Sequence, residues 1–330
     1  MVGRILLYMT TVNDKLLYLI AKLYYEQELT QQEIGDQLGL SRFKIQRLLT
    51  KAREQGIVRI ELVPPTDERC KRLEAELQRT FGLKGAVVVP GEYRSEQVLR
   101  KVLGLTAAEL LPHLIDGKRN IGLGCGRTIL EMLNHIDIEE PQAVTVVPLF
   151  GGMENIEPEF QVNALVQRLA AALGGEYRAI YAPVIAGSAE ARVTITSDPM
   201  IKPVVDLWDS LDLAIVGIGH SIATYGSAFM RAISEKDKAD IENSESAGDV
   251  CRQMFSITGE PCKLDLNSRL IAMSLEQLKR VPMVVAIAGG KVKARAILGA
   301  LRGGYTKFLI SDEATVRYVL ELHRKNASYA

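Results

Sequence analysis

The chain has 330 residues, more than one domain of typical size, and its 40 Lys and Arg residues balance its 40 Asp and Glu residues. A neutral chain has no overall excess of positive charge to attract nucleic acid or acidic lipid, so any DNA affinity must come from a local surface. The four cysteines lack zinc-ligand spacing, and the N-terminal apolar stretch is too short for a signal peptide or a membrane span. We expect two domains, reduced thiols, no metal, no membrane association and a cytoplasmic location.

Two helices are predicted at the start of the chain. Apolar residues between positions 13 and 25 recur with a spacing of three and four, which indicates one amphipathic helix. Thr30 and Glu33 have the spacing of a capping box, which predicts a second helix over residues 31–38.

A third helix follows a short turn. Gly39 supplies the left-handed conformation that often ends a helix, and Ser41 can cap a helix that runs to about Glu54, so the unit is a helix-turn-helix. Between Ser41 and Arg53 there are five cationic residues and no acidic one. The N-terminal side chains of such a helix reach base edges in the major groove, and flanking cations reach phosphates. The predicted DNA contacts are Gln31, Ser41, Arg42, Lys44, Gln46, Arg47 and Lys51.

Three interpretations stay open in this region. Phe43 contacts a thymine methyl group or packs against the second helix. Residues 57–62 alternate in part between apolar and polar, which indicates a short strand that forms a wing or packs the helices. The whole unit is alternatively a small helical bundle with a solvated basic face, although the capped helices, the glycine turn and the one-sided charge favour DNA binding.

Pro64 and Pro65 interrupt regular structure, and an amphipathic helix follows them. We assign residues 1–63 to a helix-turn-helix domain, residues 64–82 to a linker helix, and residues 83–330 to an effector-binding and oligomerisation domain.

The pattern from residue 83 onward is that of an α/β fold. Near-continuous apolar runs alternate with amphipathic helical segments, which indicates a mainly parallel sheet covered by helices on both faces. Ligands bind at the carboxyl ends of strands in such sheets, and glycines recur at those positions here. The predicted strands are residues 86–89, 120–123, 144–149, 177–182, 213–217, 284–288 and 307–310.

The loop after the second of these strands is a candidate anion site. Gly124, Gly126, Arg127 and Thr128 lead into a helix, whose N-terminal N–H groups would bind phosphate or carboxylate with help from the guanidinium and the hydroxyl. The spacing fits neither a dinucleotide fingerprint nor a Walker loop, so NAD and ATP are disfavoured and no cofactor is expected. A tight turn without ligand is the alternative. Cys125 is either an activated thiol or a simple turn residue.

Further polar residues lie near other glycine breaks. A carboxylate accepts hydrogen bonds from sugar hydroxyls, and a lysine binds phosphate. Three polar residues near these breaks also have an interpretation without ligand. Lys293 is alternatively a solvated helix residue, Asp249 a strand-entry cap and His220 a surface loop residue. With four histidines and no ordered Ser, His and Asp set, no catalytic site is expected. The additional candidate ligand contacts are Gly151, Gly152, Gln161, Asn163, Asp249 and Lys293.

Over nearly its whole length the chain resembles the SorC family of sugar-sensing bacterial transcriptional regulators. The order of several motifs together carries the resemblance, since none is specific alone. These are LTQQEIG at 29–35, GLSR at 39–42, GCGRT at 124–128, LFGG at 149–152, GIG at 217–219, GG at 289–290 with KARAI at 293–297, ALRGG at 300–304 and ISDEAT at 310–315.

The resemblance implies an effector domain related to sugar-phosphate isomerases and deaminases, dimers or tetramers on an operator, and induction by a phosphorylated sugar. By that analogy the loop at 124–128 holds phosphate, while Gln161, Asn163, Asp249 and Lys293 address the sugar. Some members that take a bisphosphate carry arginine before the Gly-Gly pair, where this chain has Phe150. A monophosphate or an unphosphorylated sugar is therefore expected.

These observations favour a ligand-responsive regulator of a carbohydrate-utilisation operon, with operator DNA and a sugar or sugar phosphate as partners. One alternative is a sugar-phosphate isomerase or deaminase with a helical N-terminal extension. Another is a regulator whose cavity holds a constitutive metabolite that stabilises the oligomer.

Overall fold

The computed structural model describes residues 12–58, 67–138, 140–154, 157–220, 229 and 232–327. Its contacts divide the chain into two compact units, Met1–Thr66 and Asp67–Ala330. Among the residues that the structure describes, no helix is both long and apolar enough to cross a bilayer.

The first unit contains three helices, α1 (Val12–Tyr25), α2 (Gln31–Leu38) and α3 (Arg42–Glu54). Their apolar faces meet in a small core because apolar residues recur at helical spacing on each of them. The strand predicted over residues 57–62 lies outside the described residues from position 59 onward. The fully or almost fully buried core residues are Leu17, Ile20, Ile34, Ile45, Leu49 and Ala52.

Local hydrogen bonds set the ends of α2 and α3. The Thr30 N–H donates to the Glu33 carboxylate at 2.8 Å and the Glu33 N–H donates to the Thr30 hydroxyl at 3.3 Å, which confirms the capping box. Gly39 ends α2 with φ +64, and Ser41 Oγ accepts from the Lys44 N–H at 3.3 Å. The predicted helix-turn-helix is therefore confirmed, with both helices at the expected positions.

The second unit is built on a parallel sheet of seven strands in the order β1, β10, β9, β5, β2, β3, β4, which confirms the α/β class. A second, antiparallel sheet of β6, β7 and β8 was not predicted. The strands are β1 (Gly85–Val89), β2 (Asn120–Leu123), β3 (Thr145–Pro148), β4 (Glu176–Tyr177), β5 (Leu213–Val216), β6 (Gly219–His220), β7 (Ser246–Val250), β8 (Gln253–Ser256), β9 (Met283–Ile287) and β10 (Phe308–Asp312).

Ten described α-helices belong to this unit, with short 3-10 turns between some of them. The helices are α4 (Glu68–Phe81), α5 (Glu96–Ile115), α6 (Arg127–Leu133), α7 (Val162–Leu173), α8 (Ala189–Ser197), α9 (Lys202–Asp206), α10 (Glu235–Asn243), α11 (Leu275–Arg280), α12 (Ala294–Arg302) and α13 (Glu313–Ala327).

The helix expected to be a linker is α4, and it belongs to the second unit. Its buried face, which includes Leu73 and Leu77, joins the large core of that unit. Glu74 accepts a hydrogen bond from the Val88 N–H of β1 at 2.9 Å. The helix therefore packs on the sheet, because its apolar stripe and one carboxylate both find partners there.

The strand register aligns the carboxyl ends of three neighbouring strands. Leu123 of β2 lies beside Ile215 of β5, and Val216 of β5 lies beside Ala286 of β9. The loops that leave β2, β5 and β9 therefore begin at the same edge of the sheet, where parallel α/β folds bind ligands.

Candidate functional site

A cavity of about 220 Å³ lies where the loops after β2, β5 and β9 meet. Residues of α5 and of the β7–β8 turn complete its wall. Six of the ten predicted ligand contacts line it: Gly124, Gly126, Arg127, Thr128, Asp249 and Lys293.

The loop after β2 makes a tight turn into α6 at the edge of the cavity. Gly126 has φ +151, a backbone conformation that residues with a Cβ rarely adopt, and its carbonyl accepts from the Leu130 N–H at 2.9 Å to start α6. The Gly124 N–H donates to the Ile215 carbonyl at 2.9 Å, which ties the loop to β5. The first N–H groups of a helix have no intrahelical acceptor, so a ligand oxygen can satisfy them beside the Thr128 hydroxyl.

Asp249 is positioned by a glycine on the neighbouring strand. It lies on β7 opposite Gly219 of β6, and so is not a strand-entry cap. A Cβ on Gly219 would lie 2.0 Å from Asp249 Oδ1. The bare backbone of Gly219 therefore provides the space for a carboxylate that can accept hydrogen bonds from sugar hydroxyls.

Lys293 ends the 3-10 turn Lys291–Lys293 and is half-buried at the cavity wall, so it is not a solvated helix residue. Burial lowers the pKa of its ammonium group, and Arg127 lowers it further, whereas Asp249 opposes both effects. Its N–H donates to the Gly290 carbonyl at 2.8 Å, which fixes the turn to the glycine loop. The lysine is thus a partly desolvated cation at the cavity wall, and partial desolvation strengthens the attraction between a cation and an anion.

For two further residues that line the cavity, Cys125 and His220, the structure decides between interpretations that the sequence left open. Burial raises the pKa of the Cys125 thiol, although the Arg252 guanidinium nearby has the opposite effect. A half-buried thiol with a raised pKa fits a turn residue better than an activated nucleophile. His220 is half-buried on β6 and burial lowers its pKa, so it is a neutral cavity residue and not a surface loop residue.

Arg252 is a cavity residue that the sequence analysis missed. It lies in the turn between β7 and β8, and its Nη2 donates to Cys125 Sγ at 2.9 Å. Its guanidinium also lies over the rings of Phe150 at 5.0 Å and Phe229 at 5.3 Å. The β7–β8 hairpin lacks the usual Asn-Gly turn signal, because Cys251 and Arg252 occupy its turn. The contacts of Arg252 with Cys125 and the two rings join segments distant in the chain, so they have no local sequence signal either.

The other four predicted ligand contacts do not line the cavity. Gly152 donates to the Ala182 carbonyl at 2.8 Å, and a Cβ on Gly151 would lie 2.4 Å from the Pro183 carbonyl oxygen. The side-chain amides are likewise engaged with backbone groups. Gln161 Nε2 donates to the Met153 carbonyl at 2.6 Å, while the Asn163 amide both donates to and accepts from the backbone of Ile180.

One cluster outside this cavity has metal-ligand residue types. Asp67, Cys70 and Glu313 lie together. The two carboxylates form ion pairs with Arg69 and Arg317, at 2.8 and 2.7 Å. Burial and the neighbouring carboxylates raise the pKa of the Cys70 thiol to about 11, and a protonated thiol is a poor metal ligand. The cluster is therefore better explained as a set of ion pairs around the start of α4.

The first unit presents a cationic face on α3. Arg42, Lys44, Gln46 and Arg47 are all exposed, while Ile45 and Leu49 on the same helix are buried. Gln31 and Lys51 are half-buried, and Ser41 is exposed with its hydroxyl engaged in the α3 cap. The side chain of Phe43 is 78% exposed, so it does not pack against α2.

The first unit is a helix-turn-helix with a cationic third helix, and the second is a parallel α/β unit that carries a polar cavity. This combination defines a DNA-binding transcriptional regulator with a ligand-binding domain. Residues 66–321 match the family described as "Putative sugar-binding domain", and residues 19–55 match region 4 of sigma-70 factors. The first match covers the α/β unit from its first helix into its last one, and the second covers the helix-turn-helix.

Several full-length relatives are transcriptional regulators. The chain is 31% identical over 309 residues to the sorbitol operon regulator of Klebsiella pneumoniae, covering 93% of this chain and 98% of the relative. It is 32% identical over 318 residues to the transcriptional regulator LsrR of Escherichia coli K12, covering 91% and 93% of the two chains.

Solved structures show the same fold. The crystal structure of the full-length sorbitol operon regulator SorC from Klebsiella pneumoniae matches with a TM-score of 0.76 and 32% identity, covering 93% of this chain and 98% of that one. A transcriptional regulator from Streptococcus pneumoniae matches with a TM-score of 0.72 and 26% identity over 77% and 97% of the two chains. The chain belongs to the SorC family of transcriptional regulators. Its relatives are regulators, so it is a regulator and not an isomerase or deaminase.

Proposed function

We propose that the cavity binds a phosphorylated sugar and that its occupancy changes the affinity of α3 for operator DNA in a carbohydrate-utilisation operon. The observation that carries this proposal is the meeting of Arg127, Thr128, Asp249 and Lys293 around one cavity. The hydroxyl and the two cations match a phosphate, and the carboxylate matches sugar hydroxyls. The name of the sorbitol operon regulator among the relatives supports the carbohydrate assignment.

We assign the ligand contacts to the six cavity residues, Gly124, Gly126, Arg127, Thr128, Asp249 and Lys293. The other four predicted residues then have a supporting role. The Gly151 and Gly152 N–H groups donate to the carbonyls of Ile271 and Ala182. The side-chain amides of Gln161 and Asn163 donate to the carbonyls of Met153 and Ile180.

We assign the DNA contacts to Arg42, Lys44, Gln46 and Arg47, with Gln31, Ser41 and Lys51 at the edge of the interface. Arginine pairs with guanine and glutamine with adenine in the major groove, and lysine neutralises phosphates. Regulators of this type bind two half-sites about one helical turn apart, which requires a homodimer or homotetramer. Such a protein acts in the cytoplasm, where operator DNA is available.

The test uses the full-length protein and a fluorescent duplex of its own promoter. A panel of sugars and sugar phosphates is first screened for thermal stabilisation, and each hit is then added to the protein–DNA complex. We expect a sugar phosphate to stabilise the protein and to change its DNA affinity, with both effects lost in Thr128→Ala and Lys293→Ala. Unchanged responses in either variant would contradict the site assignment. A hit that stabilises the protein without changing DNA binding would favour a constitutive metabolite instead.

A further inference from the structure

Phe43 is an apolar side chain in the middle of a cationic surface. Of the seven phenylalanines in the chain it is the only exposed one, since the other six are buried or half-buried. Its ring has no polar atom that water could satisfy, unlike the ring of a tyrosine. The core of the first unit therefore gains nothing from this ring, and contact with a partner would remove it from water.

The geometry of α3 places Phe43 on the outward face of that helix. An α-helix turns by about 100° per residue, so Phe43 lies about 180° to 200° around the axis from the buried Ile45 and Ala52. Gln46 and Arg47 are three and four residues further along the chain, and residues at that spacing are neighbours on one helix face. Both are exposed. The ring therefore shares its face with two of the residues assigned to DNA.

Phe43 also lies at the end of α3 that reads bases. Ser41 caps the helix and Arg42 begins it, so Phe43 is the second helical residue. In a helix-turn-helix the N-terminal residues of the recognition helix contact base edges in the major groove. The ring is thus placed to meet a base edge as well as the DNA backbone.

The charge around the ring favours DNA over a protein as its partner. Residues 41–53 contain five cations and no acidic residue. An apolar protein surface that covered Phe43 would bury those cations without partners, which is costly. DNA provides phosphates for the cations, and the thymine C5-methyl in its major groove is an apolar group that a phenyl ring can cover.

We propose that Phe43 contacts the C5-methyl group of one thymine in each operator half-site and so determines the base at that position. This inference rests on the proposed function, in which α3 binds operator DNA. A cytosine at the same place lacks the methyl group and presents an amino donor, which the ring cannot accept and whose desolvation is costly. Phe43 therefore adds a selectivity that the polar side chains of α3 do not provide.

The first test is selection of binding sites from a pool of random-sequence DNA duplexes. Full-length wild type, Phe43→Ala and Tyr18→Ala each select from the same pool, with Tyr18 as the control because it is an exposed aromatic residue on α1. We expect wild type and Tyr18→Ala to select one thymine per half-site that Phe43→Ala no longer selects. Identical preferences of wild type and Phe43→Ala overturn the proposal. Removal of an exposed ring in favour of alanine, a strong helix former, leaves the variant folded, which thermal melting checks.

The second test removes only the methyl group. The selected thymine is replaced by deoxyuridine, which keeps every hydrogen-bonding group of the base. We expect wild type to bind the deoxyuridine duplex about fourfold more weakly for each methyl group removed, as burial of one such group allows. Phe43→Ala should bind both duplexes with the same, weaker affinity. An equal loss in Phe43→Ala assigns the methyl contact to another residue, and no loss in wild type indicates a different role for the ring, such as insertion between bases. Either result overturns the proposal.

Arg47→Ala in the same titrations separates this proposal from the proposed function. Weaker binding by Arg47→Ala, together with a wild-type response to deoxyuridine in Phe43→Ala, refutes only the thymine contact. If selection by wild type enriches no sequence, or if neither variant changes DNA affinity, α3 is not the DNA-binding surface and the proposed function fails as well.

Discussion

The Asp312 carboxylate at the end of β10 accepts a hydrogen bond from the Gly290 N–H at 2.9 Å, which ties the last strand of the sheet to the loop that carries Lys293. The Thr315 hydroxyl accepts from the same N–H at 2.8 Å and donates to Asp312 at 2.6 Å. Asp312 and Thr315 belong to the C-terminal motif, and their side chains are buried. That motif therefore supports the cavity without lining it.

We predict that Asp312→Ala lowers the free energy of unfolding by about 1–3 kcal/mol and weakens effector binding. The substitution removes the carboxylate oxygen that accepts from the buried Thr315 N–H at 3.0 Å, and such a loss costs the desolvation of that N–H group. Denaturant unfolding and ligand titration measure the two effects. Asp206→Ala is the control, because its ion pair with Lys202 is exposed and is worth less than about 1 kcal/mol. Equal stability of the Asp312 and Asp206 variants would contradict the assignment.

We predict that Gly219→Ala greatly weakens effector binding. A Cβ at this position would lie 2.0 Å from Asp249 Oδ1, so the carboxylate must move away from its position in the cavity. Gly187→Ala is a matched control, since a Cβ there meets no heavy atom within 4 Å. Calorimetric titration with the effector found in the screen compares the two variants. Similar affinities for both would show that Asp249 does not contact the ligand.

We predict that Arg47→Ala weakens operator binding and leaves effector affinity unchanged. Arg47 is exposed on the cationic face of α3, in the unit that does not contain the cavity. If the side chain contacts a phosphate, the slope of log affinity against log salt falls by about 1. Fluorescence anisotropy with promoter DNA over a salt series measures this. Lys22→Ala on α1 serves as the control for loss of one positive charge, and an equal loss of affinity in both variants would rule out a specific role for α3.

We predict that effector affinity falls as the pH rises through the lowered pKa of Lys293. Burial lowers this pKa, so the ammonium loses its proton, and its attraction for phosphate, at a lower pH than an ordinary lysine. Lys293→Arg should bind with little pH dependence over the same range, because arginine stays protonated. Calorimetric titrations at several alkaline pH values compare the two proteins.

The stability of the free protein should change in the opposite direction. The unfolded chain binds more protons at Lys293 than the folded one between the lowered and the ordinary pKa, so this residue makes folding more favourable as the pH rises through that window. The difference in unfolding free energy between wild type and Lys293→Met isolates the contribution. A difference that does not vary with pH would show that burial does not perturb this lysine.

Much of the fold could be predicted from local patterns. The capping residues Thr30 and Ser41 and the helix-ending Gly39 define α2 and α3 because each acts within a few residues of itself. Five buried parallel strands were found as apolar runs to within one or two residues at each end, and β3 was found inside a slightly longer run. The run at 177–182 was the exception. Only Tyr177 of that run lies in a strand, the two-residue edge strand β4, and further along the Asn163 side chain is hydrogen-bonded to the backbone of Ile180.

The rest depends on contacts between distant segments. The small sheet of β6, β7 and β8 has short strands without a clear apolar–polar alternation. The pairing of β6 with β7, which places Gly219 opposite Asp249, therefore could not be predicted from the sequence. Arg252 was missed because its hairpin turn lacks the usual Asn-Gly signal and its contacts with Cys125 and Phe150 join distant segments. Gln161 and Asn163 follow a glycine break as ligand residues often do, yet their amides bind backbone groups 8 and 17 residues away.

The strand order also bears on how the protein is made. The first strand of the α/β unit, β1, lies at the sheet edge with β10 as its neighbour, and these strands are more than 200 residues apart in the chain. The seven-stranded sheet therefore cannot be completed until β10 has left the ribosome. Helices α1 to α3 make mainly local contacts and need only about the first sixty residues. We expect the DNA-binding unit to be folded on the nascent chain well before the sensing unit is complete.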